Sequence, residues 1–216
     1  MGGAMAGQIL RELKAHAPFT FFGAISGIVV MVFCYKLSYK AAYDIFYILH
    51  PLHVLLSALV TASMYKLHEC DRITGKCIMG RCNFWALLII GYVGSVGIAT
   101  VSDSVIPYAC EALFKMPNRG IHIGFIEKWW LVNPLAIIGI AIANIKPGTK
   151  FPHAAHVLLS VWASLFHIIM ALGQSMSFFL YPVILLFLFV AVLVPCCVSD
   201  IVFPLLFVKD KPRSFL

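Results

Sequence analysis

The chain of 216 residues is 62% hydrophobic and only 12% charged, with a mean hydropathy of +0.95. Those values exclude an ordinary soluble globular domain and leave lipid as the solvent for most of the sequence. The formal net charge of +7 is accounted for by membrane topology and contact with anionic lipid, and no nucleic-acid site is needed to explain it.

A helix needs about 20 apolar residues to cross the hydrocarbon core, and six stretches qualify: residues 17–35, 44–65, 84–114, 129–145, 153–173 and 177–208. The expected fold is therefore all-α, a polytopic transmembrane helical bundle of six spans. Span one follows Arg11 and Lys14, and no small-residue cleavage site comes after a short hydrophobic core, so it reads as a retained span and not a signal peptide. Span two carries His50, His53, Ser57, Thr61 and Met64 at steps of 3, 4, 4 and 3, which puts them on one helix face. The loop after it holds His68, Cys70, Cys77 and Cys82. Their C-x6-C-x4-C spacing is not a common zinc pattern, so incidental reduced thiols are the simpler reading.

Span three contains Asp103 four residues before Pro107. Proline cannot donate to the carbonyl four residues back, so this turn would offer a carboxylate beside a freed backbone carbonyl, the broken-helix device by which transporters hold cations. The following loop ends in Lys128, Trp129 and Trp130, an interfacial anchor. Span five carries His153, His156, Ser160, Ser164 and His167 with the same spacing as the face of span two, and span six carries Pro195, Cys196, Cys197 and Asp200.

Comparison of the chain with itself connects these features. His50–Ser57 and His153–Ser160 both read H-x-x-H-V-L-L-S, 103 positions apart, and Val101–Pro107 and Val198–Pro204 both read V-S-D-x-V-x-P. Shared Leu and Val are common between apolar helices, but shared His, Ser, Asp and Pro in two blocks of the same order point to duplication. The halves are residues 1–116, with the Cys-containing loop, and 117–216. Three spans in each force opposite orientations, the 3+3 inverted repeat of many secondary transporters.

Of the 16 Lys and Arg, eleven fall in the segments that share a side with the N-terminus and five on the other side. The positive-inside rule then puts both termini in the cytoplasm of a multi-pass protein of the cell (inner or plasma) membrane. Ionisable groups facing lipid are costly, so the two His-bearing faces should meet in the protein interior. Imidazole with carboxylate suits divalent transition metals, and thiol from Cys196 or Cys197 would bias the site toward thiophilic ions. The candidate metal ligands are His50, His53, Asp103, His153, His156, Cys196, Cys197 and Asp200. The same imidazoles suit a proton relay.

With His16–Thr20, the H-P-L-H-V-L-L-S-A block from His50, Pro152–His156 and Pro195–Asp200, the chain resembles small uncharacterised prokaryotic polytopic membrane proteins described as predicted cation transporters. The resemblance spans most of the chain and implies a transporter of an inorganic cation; a chain of six spans can work alone or as a homodimer. Two other readings compete. His53 and His68, and His153 and His167, are separated by 15 and 14 residues, near the spacing with which two helices hold two b-type haems in an electron-transfer subunit. An intramembrane metalloenzyme would also use His, Asp and a metal to activate water, although neither H-E-x-x-H nor a nucleophile elbow is present.

Overall fold

A computed structural model describes residues 2–74, 83–148, 150–173, 177–197 and 202–207. Asp200, Cys77, Cys82 and the side chains of His68, Cys70 and Cys197 lie outside the described residues. Every regular element among those described is a helix: α1 (Gly2–Cys34), α2 (Tyr39–Thr74), α3 (Phe84–Leu113), α4 (Gly124–Glu127), α5 (Trp129–Ile145), α6 (Lys150–Leu172), α7 (Leu180–Cys197) and α8 (Phe203–Leu206).

Four helices are long and apolar enough to cross a membrane, over His16–Cys34, Tyr39–Leu67, Phe84–Leu113 and Pro152–Leu172. The helices α5 and α7 are apolar but shorter. At 1.5 Å per residue, the 17 residues of α5 reach about 25 Å, just under the hydrocarbon thickness. Within the expected span 177–208, the described residues form α7 to Cys197 and α8 from Phe203, with Pro195 inside the first and Pro204 in the second. A proline in a helix interior removes a backbone hydrogen bond.

The bundle is organised around α6, of whose most apolar window 78% is buried, against 28% for α1 at the periphery. Its partner α2 carries the other buried stripe. The helix α5 lies against α2 at Gly139, where a Cβ would come within 2.3 Å of the Leu55 carbonyl oxygen. A glycine there lets two backbones approach closely, the usual device of helix contacts in lipid. Lys66, one residue past the expected span 44–65, lies on α2, which continues to Thr74, and is buried, donating to the Asn144 carbonyl and, at 3.2 Å, to its side-chain oxygen. The cation thereby caps the C-terminal end of α5, where the helix dipole is negative.

The outside of the bundle is apolar and open: Phe33, Trp85, Phe178 and Phe179 are all exposed. Trp129 and Trp130 are exposed as well, in keeping with an interfacial anchor.

Candidate functional site

The two stripes read from the sequence face each other. On α2, His50, His53, Ser57 and Thr61 are buried, and on α6 so are His156, Ser160, Ser164 and His167, while His153 is half-buried. Phe46 meets His167 with ring centroids 5.3 Å apart, and His53 meets His156 at 5.5 Å. Advancing along α2 thus means retreating along α6, so the two helices cross antiparallel with their H-x-x-H blocks in contact.

The third contribution comes from α3, which is not a regular α-helix. It opens into π turns at Val93–Gly97 and Val101–Val105, separated by Ile98–Thr100. The Ile106 N–H donates to the Val101 carbonyl five residues back. Pro107 lacks the N–H that would close the ordinary bond to Asp103, and a widened turn of this kind is characteristic of functional positions in helices. Where the sequence suggests a broken helix with a freed carbonyl at Asp103, the helix makes a π turn and runs on to Leu113.

Asp103, with no solvent exposure, is wedged between α2 and α6. Its Oδ2 accepts from His53 Nδ1 at 2.7 Å and from His50 Nδ1 at 2.9 Å. Its Oδ1 accepts from the hydroxyls of Ser102 and Ser160, both at 2.8 Å. Ser164 donates to the Ser102 carbonyl at 3.0 Å, bracing the same turn from α6. A buried carboxylate is costly unless its lone pairs are filled, and four donors from three helices fill them here.

Two sets of potential metal ligands share His53: His50, His53 and Asp103 form one, and His53, His156 and Cys196 the other, the ligand atoms of each lying within 4.8 Å of one another. All five residues are buried. His153 sits at the edge of this centre, its Nδ1 3.3 Å from His156 Nε2, and its ring stands edge-on to His16 at 4.5 Å. Of the predicted ligands, His50, His53, Asp103, His153, His156 and Cys196 are thus drawn into one region, and Cys197 and Asp200 fall outside the side chains described.

A second polar cluster lies toward the loop between α3 and α4. His167 Nδ1 is 2.6 Å from Glu111 Oε1, with neither side chain exposed, and the Gly120 N–H donates to Glu111 Oε2 at 3.2 Å. His122 stands 5.3 Å from His167 between ring centroids, 3.2 Å from Glu127 Oε2 through Nδ1, and 3.1 Å from the Tyr39 hydroxyl through Nε2. Tyr47 donates to Glu127 at 2.6 Å. The sequence reading missed Glu111 and the contact of His16 with His153. The signal for Glu111 was present, since Asp103 and Glu111 are the only acids between residues 84 and 114, and an acid inside a span demands a partner.

Between the clusters, Phe46 stacks on His50 with centroids 5.2 Å apart and meets His167 edge-on. The Nε2 atoms of His50 and His167 are buried and have no hydrogen-bond partner among the described residues.

Comparison with known proteins adds no relative: no family model, no curated protein and no solved structure matches the chain.

Proposed function

We propose that the chain is an integral membrane transporter of a divalent transition-metal cation, with proton coupling supplied by the same buried imidazoles. The observation that carries the reading is the crossing of two copies of one motif deep inside an apolar bundle. Equivalent residues of the two H-x-x-H blocks, His53 and His156, come together on antiparallel helices, as an inverted repeat with its axis in the membrane plane requires. In this reading the crossing is the point that a carrier exposes to one side of the membrane and then to the other.

The architecture in this reading is a six-span, 3+3 inverted repeat, with α5 and α7 as the shorter spans and both termini cytoplasmic. The π turn at Asp103 supports it, because a turn held by side chains from two neighbouring helices can rearrange when either neighbour moves. The line of described histidines that includes His16, His153, His156, His53 and His50 supports proton coupling, since imidazole changes its protonation near neutral pH and a proton released on metal binding needs a route out.

The test is ion flux in proteoliposomes with an entrapped metal-responsive dye, using Zn2+, Co2+ and Mn2+ and a pH gradient of either sign. Uptake is expected for at least one of these ions, with Asp103→Asn lowering the rate roughly tenfold or more because the charge that steadies the centre is lost. Absence of flux for all three ions under both gradients would remove the transport reading.

A further inference from the structure

Two overlapping ligand sets cannot both be the metal site as drawn, and the position of Asp103 discriminates between them. In the set of His50, His53 and Asp103, the carboxylate oxygen Oδ2 already takes an N–H from both rings. A cation at that point would have to displace both protons and both bonds. With Nδ1 of His53 held by Asp103 and Nε2 of His156 facing His153 Nδ1 at 3.3 Å, an ion between these two rings would take Nε2 of His53 and Nδ1 of His156. A carboxylate behind a metal-bound imidazole, fixing its tautomer and raising its basicity, is the usual support for such a ligand.

We infer that the ion is held by His53, His156 and the thiolate of Cys196, with Asp103 as a positioning residue behind His53, and that the site selects a divalent, thiophilic ion of the zinc type. The inference rests on the proposal that this centre binds a transition metal, and not on whether the metal is carried across. Charge supports the selection: one thiolate and one carboxylate balance a divalent ion in a buried site, where an uncompensated charge is expensive. A monovalent ion would leave the centre negative. Two imidazoles and a sulfur are poor ligands for Mg2+ or Ca2+, which take oxygen. Three protein ligands also leave a fourth tetrahedral position open, as in zinc sites that exchange a ligand. Cys196 is buried and not in a disulfide, so the sulfur is present as a thiol that gives up its proton when the metal binds.

The experiment uses the full-length protein with Cys70, Cys77 and Cys82 changed to Ser, so that the loop supplies no sulfur. One equivalent of Co2+ is expected to produce a sulfur-to-cobalt charge-transfer band together with the intense visible bands of a tetrahedral ion. C196S should abolish the charge-transfer band, and C197S should leave it. D103N should keep the band and weaken binding by about 10–100-fold, the usual loss when a carboxylate behind a metal-bound histidine is removed. X-ray absorption of the zinc-loaded parent protein needs no change in the core, and is expected to give one sulfur and two imidazoles. A shell of nitrogen and oxygen only, or a cobalt charge-transfer band that survives C196S, overturns the assignment. The two proposals fail separately: sulfur ligation without flux would retain the site and remove transport, and flux with no sulfur ligation would do the reverse.

Discussion

Asp103 and Glu111 stand on the same helix, both without solvent exposure, and each engages imidazole through Nδ1. Their supports differ. All four partners of Asp103 are side chains of helices α2, α3 and α6. Glu111 has one imidazole from α6, and its other oxygen takes a backbone N–H from Gly120, in the loop before α4. Groups fixed by helices are held more tightly than groups fixed by loops. The contrast therefore separates a centre built to hold a ligand in place from a cluster whose second support can be released by moving one loop.

The sharpest way to break this comparison is to delete the carboxylates. Asp103→Ala strands the donors of His50, His53, Ser102 and Ser160 in the interior and should cost about 3–5 kcal/mol, as losing one partner of a buried charged network does. Glu111→Ala strands only His167 and the Gly120 N–H, which its loop can turn to water, and should cost only about 1–3 kcal/mol. Both are measured by denaturant unfolding in detergent micelles. Equal losses would mean that the two carboxylates are held alike.

A smaller effect is expected where the outer segment touches the core. A Cβ at Gly124 would come within 2.5 Å of His50 Cδ2 and Nε2. The ring cannot simply swing aside, because Asp103 holds its Nδ1. Gly124→Ala should then destabilise by about 1–3 kcal/mol, the range for overpacking. Gly97, with nothing within 4 Å of its Cβ position, is the control: Gly97→Ala should change stability by no more than about 1 kcal/mol, with helix propensity favouring Ala. If both substitutions are neutral in thermal unfolding, His50 is not pinned between the outer segment and Asp103.

The helical class and the two polar stripes were legible in the sequence because periodicity and hydropathy both act along the chain. His50, His53, Ser57 and Thr61 repeat at helical spacing inside an apolar run, and lipid leaves such a face only the interior to occupy. The approach of the stripes followed for the same reason. What the sequence could not say was which groups bond across helices. Pro107 marked the turn at Asp103 as irregular, yet local rules could not distinguish a kink from a π turn braced by Ser160 and Ser164. Glu111 was overlooked because its supports, His167 and the Gly120 N–H, are distant in sequence or lie in the backbone. Hydropathy ends the second span at residue 65, just before Lys66, whereas α2 continues and the C-terminal end of α5 supplies acceptors for that cation.

The smallest expected difference separates single hydroxyls in the two regions. Ser160 donates to Asp103 Oδ1 at 2.8 Å, alongside Ser102, and lies within the interior. Tyr47 donates to Glu127 Oε2 at 2.6 Å, where the acceptor side chain is one third exposed and water can take the place of the phenol. Ser160→Ala leaves Oδ1 with one donor fewer and no solvent to compensate, so it should cost about 1 kcal/mol, whereas Tyr47→Phe should cost about half as much. The stability difference is narrow, and metal affinity is the more sensitive reading. If Asp103 steadies His53, losing Ser160 loosens the carboxylate and should weaken Co2+ or Zn2+ binding several-fold in calorimetric titration, while Tyr47→Phe should leave the affinity unchanged. A loss in Tyr47→Phe equal to that in Ser160→Ala would show that the outer cluster belongs to the binding centre, and the division drawn between Asp103 and Glu111 would not stand.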